Sequence, residues 1–283
     1  MQVLTAVALA VIMGTLGLSL QLADFRRLLT APRGVLIGLA NLAVVAPALA
    51  FAMAKLFDLE PVYAVGLVIL GASPGGVVAN LLTHLARGET ALSVTLTATS
   101  SVLSVVTIPL YLTLAIGHFG ADTLADEVSV LGVALRVLLI TTVPLVIGMR
   151  FRASRPDRAL ALQQPLGRAA MVAFAAVVIA TFVGERAGLV DALPAVFPAA
   201  AALSVASMSI SFAVARLARL EERSAIAISL ELGVHNGAVA IAVADAIGAN
   251  VAIPAAVYSA FMLVPAGLVV GWRRRSRTGV ARA

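Results

Sequence analysis

Residues 62–87 read VYAVGLVILGASPGGVVANLLTHLAR, an apolar run with a break at its centre. The run is long enough for a bilayer core, which takes about 20 helical residues. Gly71-Ala72-Ser73-Pro74-Gly75-Gly76 occupies its middle. Glycines and a proline packed this closely disfavour a continuous helix. Ser73 fits an N-cap and Pro74 a first helical position, so a second half-helix is expected to start there, at membrane depth. A similar interruption follows at Glu231-Leu232-Gly233-Val234-His235-Asn236-Gly237, again between apolar flanks. Ionisable residues such as Glu231 and His235 inside an apolar run mark function by default.

The rest of the chain supports a membrane setting. It has 283 residues, 61% hydrophobic and 12% charged, with a mean hydropathy of +1.05. A soluble domain is about 45–50% apolar and about 25% charged. The excess apolar surface has to face lipid, where only helices and closed barrels satisfy their own backbones. The runs here are long and continuous, which selects helices over strands of roughly ten alternating residues. The expected fold is an all-α polytopic membrane protein with about nine spans, near 2–20, 34–56, 62–86, 89–116, 128–149, 169–184, 193–215, 224–247 and 252–272. The first run has no basic residue before it, since the first cations are Arg26 and Arg27, so it reads as a retained span rather than a signal peptide. No loop is long enough for a soluble domain, so residues 1–283 read as one integral membrane transporter domain.

The net charge is +6 and the pI about 10.9. With one Trp and three Tyr there is no aromatic-rich basic patch, and the cations read as topology signals rather than a nucleic-acid footprint. Absent cysteine removes disulfides and thiolate metal sites, and three scattered His do not make a structural zinc site. No organic cofactor is expected.

Charge sorts by side. The connections after spans one, three, five and seven carry Arg26, Arg27, Arg33, Arg87, Arg150, Arg152, Arg155, Arg158, Arg168, Arg216, Arg219 and Arg223. The tail adds Arg273, Arg274, Arg275, Arg277 and Arg282. The other connections carry Asp58, Glu60, Asp122, Asp126, Glu127, Glu185 and Asp191. The positive-inside rule then puts the N-terminus outside and the C-terminus in the cytoplasm. Arg136 falls inside the fifth run, either in an interfacial start or reaching outward.

The two breaks also pair. Spans one to four match spans six to nine at an offset of five, which sets span three against span eight. An odd offset inverts the second half, and paired broken helices in inverted halves point to a transport site near the midplane. Gly76-Val77-Val78-Ala79 and Gly237-Ala238-Val239-Ala240 are weakly alike. A half-helix N-terminus suits a carboxylate or sulfonate, and a half-helix C-terminus suits a cation. Ser73, Gly75, Gly76, Asn80, His235 and Asn236 are therefore candidate substrate contacts. Oxygens of Glu231, Asn80, Asn236, Ser93 and Thr97 suit a hard cation such as sodium, and Ser93 and Thr97 share one helix face.

These residues carry a resemblance. Gly71-Ala72-Ser73-Pro74-Gly75-Gly76-Val77-Val78-Ala79-Asn80, then Leu85-Ala86-Arg87-Gly88-Glu89-Thr90-Ala91-Leu92-Ser93, resembles the first crossing helix and next span of the bile acid:sodium symporter family. Glu231 to Gly237 resembles its second crossing helix, and Met13-Gly14 through Asp24-Phe25 with Pro32 its early segment. The likeness covers nearly the whole chain and suggests a divergent bacterial member in the inner membrane. It implies inverted repeats, a core with two discontinuous crossing helices, and a panel domain interleaved in sequence. It also implies alternating access and sodium-driven symport of organic anions, bile acid-like or smaller carboxylates. Many members have ten spans, and the first span here resembles their second. The family's first sodium site falls on Asn80, Ser93, Thr97 and Glu231. A second falls on Glu231 with backbone at Leu232 and Val234. The chain departs from the pattern at Ala79, where the family commonly has Ser, and at His235, where it has Gln. Asn41 is the nearest counterpart of a family Gln in the second span.

Rival readings remain in view. Asn80 and Asn236 could be interhelical glue, and Ser93 and Thr97 ordinary packing. Coupling could run on protons, or be absent. A ligand-binding sensor would share the same sites. Gly71-Ala72-Ser73-Pro74-Gly75 matches a hydrolase pattern, with Ser73 and His235 as an intramembrane pair, but the strand–turn–helix context is missing, so no enzyme is expected. On a continuous helix Glu231 and His235, four apart, would share a face, where a protonated imidazole would compete with sodium.

Overall fold

The computed structural model describes residues 2–121, 124, 129–248 and 250–278. Eleven helices organise them: α1 (Gln2–Ser19), α2 (Pro32–Leu56), α3 (Pro61–Ala72), α4 (Val77–Leu85), α5 (Thr90–Phe119), α6 (Leu131–Ser154), α7 (Pro156–Gly184), α8 (Arg186–Leu217), α9 (Glu222–Gly233), α10 (Gly237–Ala244) and α11 (Ile253–Arg274). There is no strand among the described residues. Helices α2, α5, α6, α7, α8 and α11 are each long and apolar enough to cross a membrane. The protein is a multi-pass, all-α membrane protein.

Prolines set the local pattern. Pro32, Pro61 and Pro156 open α2, α3 and α7, where a missing N–H costs nothing. Inside a helix the same residue forces an adjustment. Pro47 has no N–H for the carbonyl of Ala43, and α2 widens into a π turn over Asn41–Val45 just before it. Tyr111 of α5 donates to that freed Ala43 carbonyl at 2.7 Å. Leu138–Thr142 makes the same adjustment ahead of Pro144 in α6.

Two groupings emerge from packing. Helix α1 lies along α6 and α7, and the remaining helices surround α3, α4, α9 and α10. Every residue of α10, and nearly every residue of α3, is buried, as expected for helices apolar all round. Lipid-facing surface is supplied by Val106 and Leu110 of α5, Leu139 and Ile147 of α6, and Ile179 of α7, all exposed. Helices α1 and α6 approach through glycine: a Cβ on Gly17 would stand 2.9 Å from the Gly148 Cα, and one on Gly148 2.9 Å from the Gly17 Cα. In lipid, packing of this kind stands in for the hydrophobic drive between helices.

Contacts also sort the two ends. At one, Arg33 donates to the Ala218 carbonyl, Ser224 to Glu89, and Arg273 pairs with Glu222. At the other, Thr5 donates to Asp245 and the Asn250 N–H to Glu185. Arg136 belongs to this second end, where it donates to the Ala246 carbonyl at 3.4 Å.

Two expectations are corrected. Ser73 does not cap the second half-helix and Pro74 is not its first residue. Ser73 ends α3, its hydroxyl donating back to the Ile69 carbonyl, and α4 starts at Val77 behind Gly76. Helix α7 begins at Pro156 rather than near 169, because Pro156 starts a helix and the polar turns through Arg168 continue it without needing hydrophobicity. The eighth run splits at Val234–Asn236, inside the interruption expected at residues 231–237. Asp122, Asp126, Glu127 and Arg282 lie outside the described residues.

Gly148→Val should overpack the α1–α6 crossing by about 1–3 kcal/mol and lower the thermal midpoint in detergent by roughly 5 °C. Gly167→Val, where an added Cβ meets nothing within 4 Å, should not. Equal midpoints for the two variants would refute the close crossing.

Candidate functional site

The two breaks cross each other. Residues 73–76 between α3 and α4 run antiparallel to residues 234–236 between α9 and α10, with a bridge between Gly75 and His235. The Gly76 N–H donates to the Val234 carbonyl at 2.8 Å, and the Asn236 N–H to the Pro74 carbonyl at 2.8 Å. Side chains take up other freed groups. Thr107 donates to the Ala72 carbonyl (3.2 Å), Tyr258 to the Gly233 carbonyl (3.0 Å), and the Gly75 N–H to Ser100 Oγ (3.4 Å). Unwound backbone at this depth survives only where protein replaces water as its partner.

Beside the crossing is a cluster of oxygens. Glu231, fully buried on α9, faces α5. Its Oε2 accepts from Ser93 Oγ at 2.8 Å, and its Oε1 accepts from Thr97 Oγ1. Asn80 Oδ1, from α4, lies 2.8 Å from Ser93 Oγ and 3.2 Å from Thr97 Oγ1. Each hydroxyl has one proton, yet each faces more than one acceptor. Among the described residues no cationic side chain pairs with Glu231. A buried carboxylate without a partner charge is costly, so this arrangement favours a cation or a proton. Gly75 makes the fit possible, since any Cβ there would fall on the Glu231 carboxylate.

A cavity of about 90 Å³ lies on the other side of the crossing, between it and α1 and α7. Gly76, Val77 and Val78 at the start of α4, and Asn236, Gly237 and Ala238 at the start of α10, line it. The first N–H groups of both half-helices have no acceptor within their own helix. Asn236 caps α10, its Oδ1 accepting from the Val239 N–H at 3.3 Å, and its Nδ2 is buried without a hydrogen-bond partner. His235 also lines the cavity; its Nδ1 lies 3.2 Å from the Ser73 carbonyl, and its Nε2 is unpartnered. A carbonyl only accepts, so the proton sits on Nδ1 and a neutral ring presents Nε2 as an acceptor.

Asn80, Ser93, Thr97 and Glu231 are thus brought together, and Gly76, His235 and Asn236 meet in the cavity. Ser73, Gly75 and Asn80 do not line the cavity. The His235 ring touches the Ser73 carbonyl, not its hydroxyl, so no nucleophile–base pair forms. Glu231 and His235 do not share a face: Glu231 turns to α5, while His235 turns to Ser73 and the Tyr258 ring at 5.9 Å. The break at Val234 separates them. The Val234 carbonyl is engaged by Gly76, and the Leu232 side chain packs with Leu42 and Ala46. Sequence reading missed Thr83, which donates to Ser93 Oγ at 3.3 Å, and also Ser100, Thr107 and Tyr258. The signal was available on α5, where Ser93, Thr97, Ser100, Ser101 and Ser104 recur at helical spacing and are all buried.

The profile of the sodium bile acid symporter family matches residues 6–192. An uncharacterized sodium-dependent transporter of Bacillus subtilis is 29% identical over 252 residues, covering 89% of this chain and 77% of its own. A probable chloroplastic sodium/metabolite cotransporter of Arabidopsis thaliana is 29% identical over 275 residues, covering 95% and 67%. The hepatic sodium/bile acid cotransporter of Rattus norvegicus is 31% identical over 157 residues, covering 55% and 43%. All three names describe transporters rather than enzymes. With well over half its length inside the profile match, the chain belongs to the sodium bile acid symporter family.

Proposed function

We propose that the protein is a sodium-coupled symporter of a small organic anion. The observation that carries this is the buried Glu231 carboxylate, ringed by Ser93, Thr97 and Asn80 oxygens and facing no cationic side chain among the described residues. Sodium takes hard oxygen ligands, and one such ion would balance the charge. Asn80, Ser93, Thr97 and Glu231 would hold it. A second sodium on Glu231 with the Leu232 and Val234 carbonyls has weaker support, because the Val234 carbonyl already accepts from Gly76.

The substrate would sit in the cavity across the crossing, with its anionic group at the N-termini of α4 and α10 beside Gly76 and the Asn236 Nδ2 donor, and with His235 Nε2 facing a hydrogen-bond donor elsewhere on the substrate. Pockets for drug-sized ligands run to about 300–1,000 Å³. At about 90 Å³ the cavity takes a small carboxylate here, and a bile acid would need it to open. Opening would come from α1, α6 and α7 moving as a panel against the rest, which is alternating access. Segments α3–α4 and α9–α10 would be the broken members of two inverted repeats, giving nine crossings. The arginine-rich end would face the cytoplasm of a bacterium, with the N-terminus outside. Proton coupling is the competing reading, since a proton on Glu231 would also relieve the charge.

Sodium should raise the thermal midpoint of the purified protein. Saturation at 100 times the dissociation constant stabilises by about 2.7 kcal/mol. Glu231→Gln should fold, lose that response, and fail to concentrate substrate in proteoliposomes. Gly75→Ala should lose it too, with every charge kept. Full accumulation by Glu231→Gln, or stabilisation by acid but not by sodium, would sink the sodium reading.

Orientation is tested separately. The chain has no cysteine, so single cysteines give clean labelling. Glu60→Cys and Arg155→Cys, both at exposed positions, should react from opposite sides of intact cells, Glu60→Cys from outside. The reverse pattern would invert the topology.

A further inference from the structure

A second cavity, of about 610 Å³, lies where the end of α1 meets the last turns of α6. Leu20 and Gln21 wall it from one side, and Val146, Met149, Arg150 and Arg152 from the other. It is separate from the crossing and shares no residue with the ion cluster or the first cavity. Its two arginines line neither the first cavity nor the oxygen cluster.

Three features define it. Arg152 Nη1 is buried and has no hydrogen-bond partner, an expensive state for part of a guanidinium. The nearby carboxylates do not relieve it. Asp24 Oδ2 accepts from the Gln21 N–H at 2.7 Å, and Asp157 lines the adjoining pocket with Arg155 and Arg158. The cavity is also two-sided in chemistry. Val146 and Met149 lie deeper along α6, with Arg150 and Arg152 beyond them toward the helix end. On that flank Val146 and Ile147 are exposed, which in a membrane means exposed to lipid. An apolar wall below two guanidinium groups near the end of an apolar, membrane-length helix matches a phospholipid: glycerol and upper acyl chain below, phosphate above. Arginine suits phosphate through its fixed fork of donors.

We propose that this cavity binds the phosphate of an anionic phospholipid headgroup, with Arg150 and Arg152 as its contacts. A free phosphate would use the same donors but leave the apolar wall unused. Lipid bound there would hold the α1–α6–α7 group at a fixed depth in the bilayer.

The experiment uses the purified full chain in detergent, with phosphatidylglycerol, phosphatidylcholine or inorganic phosphate added. Bound lipid is counted by native mass spectrometry and thermal midpoints are followed in parallel. The wild type should retain and be stabilised by phosphatidylglycerol in preference to phosphatidylcholine. Arg150→Ala/Arg152→Ala should lose that preference, by about fivefold per arginine. Arg155→Ala/Arg158→Ala removes the same charge from the same connection and should keep it. Arg150→Gln/Arg152→Gln retains side-chain length and polarity, and carries the same expectation as the alanine pair should that pair not fold. Equal losses in the two alanine pairs would reduce the effect to general attraction by a basic surface and overturn the site. So would an unchanged preference in the glutamine pair. Stabilisation by inorganic phosphate with none by phosphatidylglycerol would overturn the lipid as occupant.

Discussion

A polypeptide that stops being helical inside a bilayer must find partners for its freed backbone groups, and each one left over costs several kcal/mol. This chain stops twice, and the two stops satisfy each other. Gly76 N–H to Val234 carbonyl and Asn236 N–H to Pro74 carbonyl form one small antiparallel junction. Neither half could be built alone. The junction dictates what surrounds it, since the remaining carbonyls at Ala72 and Gly233 require Thr107 from α5 and Tyr258 from α11. Those two helices are held at the crossing by hydrogen bonds as well as by packing.

The same junction aims the functional groups. Glu231 sits in the last regular turn of α9, where helix geometry still governs its direction, and it turns to Ser93 and Thr97. His235, beyond the break, follows the antiparallel strand-like path and turns to Ser73. Spacing of four residues would have joined them on an unbroken helix, and the interruption sends them apart. An acid and an imidazole close in sequence therefore face different spaces, one the oxygen cluster and the other the cavity.

This divides what the sequence revealed from what it hid. Long apolar runs, their breakers and the one-sided arginines are local features. They were enough for an all-helical membrane fold, for both interruptions and for the meeting of Asn80, Ser93, Thr97 and Glu231, with the family resemblance supplying the pairing. Hidden were the choices that depend on partners across the fold. Nothing near Ser73 says that its hydroxyl will return to Ile69 rather than cap α4. Nothing near Tyr258 or Thr107 names carbonyls 25 and 35 residues away. The start of α7 was missed because hydropathy marks where lipid ends, whereas a helix ends where its hydrogen bonds do. Arg168 lies past the first boundary and well inside the second.

Coupling between two sites is a free energy, and it needs a physical element that both sites touch. Here that element is very short. Gly75 packs on the Glu231 carboxylate so closely that no side chain fits, and the next residue, Gly76, lines the cavity while its N–H holds the Val234 carbonyl. One peptide unit therefore has the oxygen cluster, the candidate ion site, on one side and the candidate substrate space on the other. If the carboxylate shifted on gaining or losing a cation, the shift would have little room to be absorbed before it reached Gly76, because the junction is tied to α5 and α11 and protein interiors pack densely. Sodium would act on the anion through that shared wall, without direct contact between the two. On that reading both halves of the crossing would be needed for transport, one to hold the charge and the other to register that it is held.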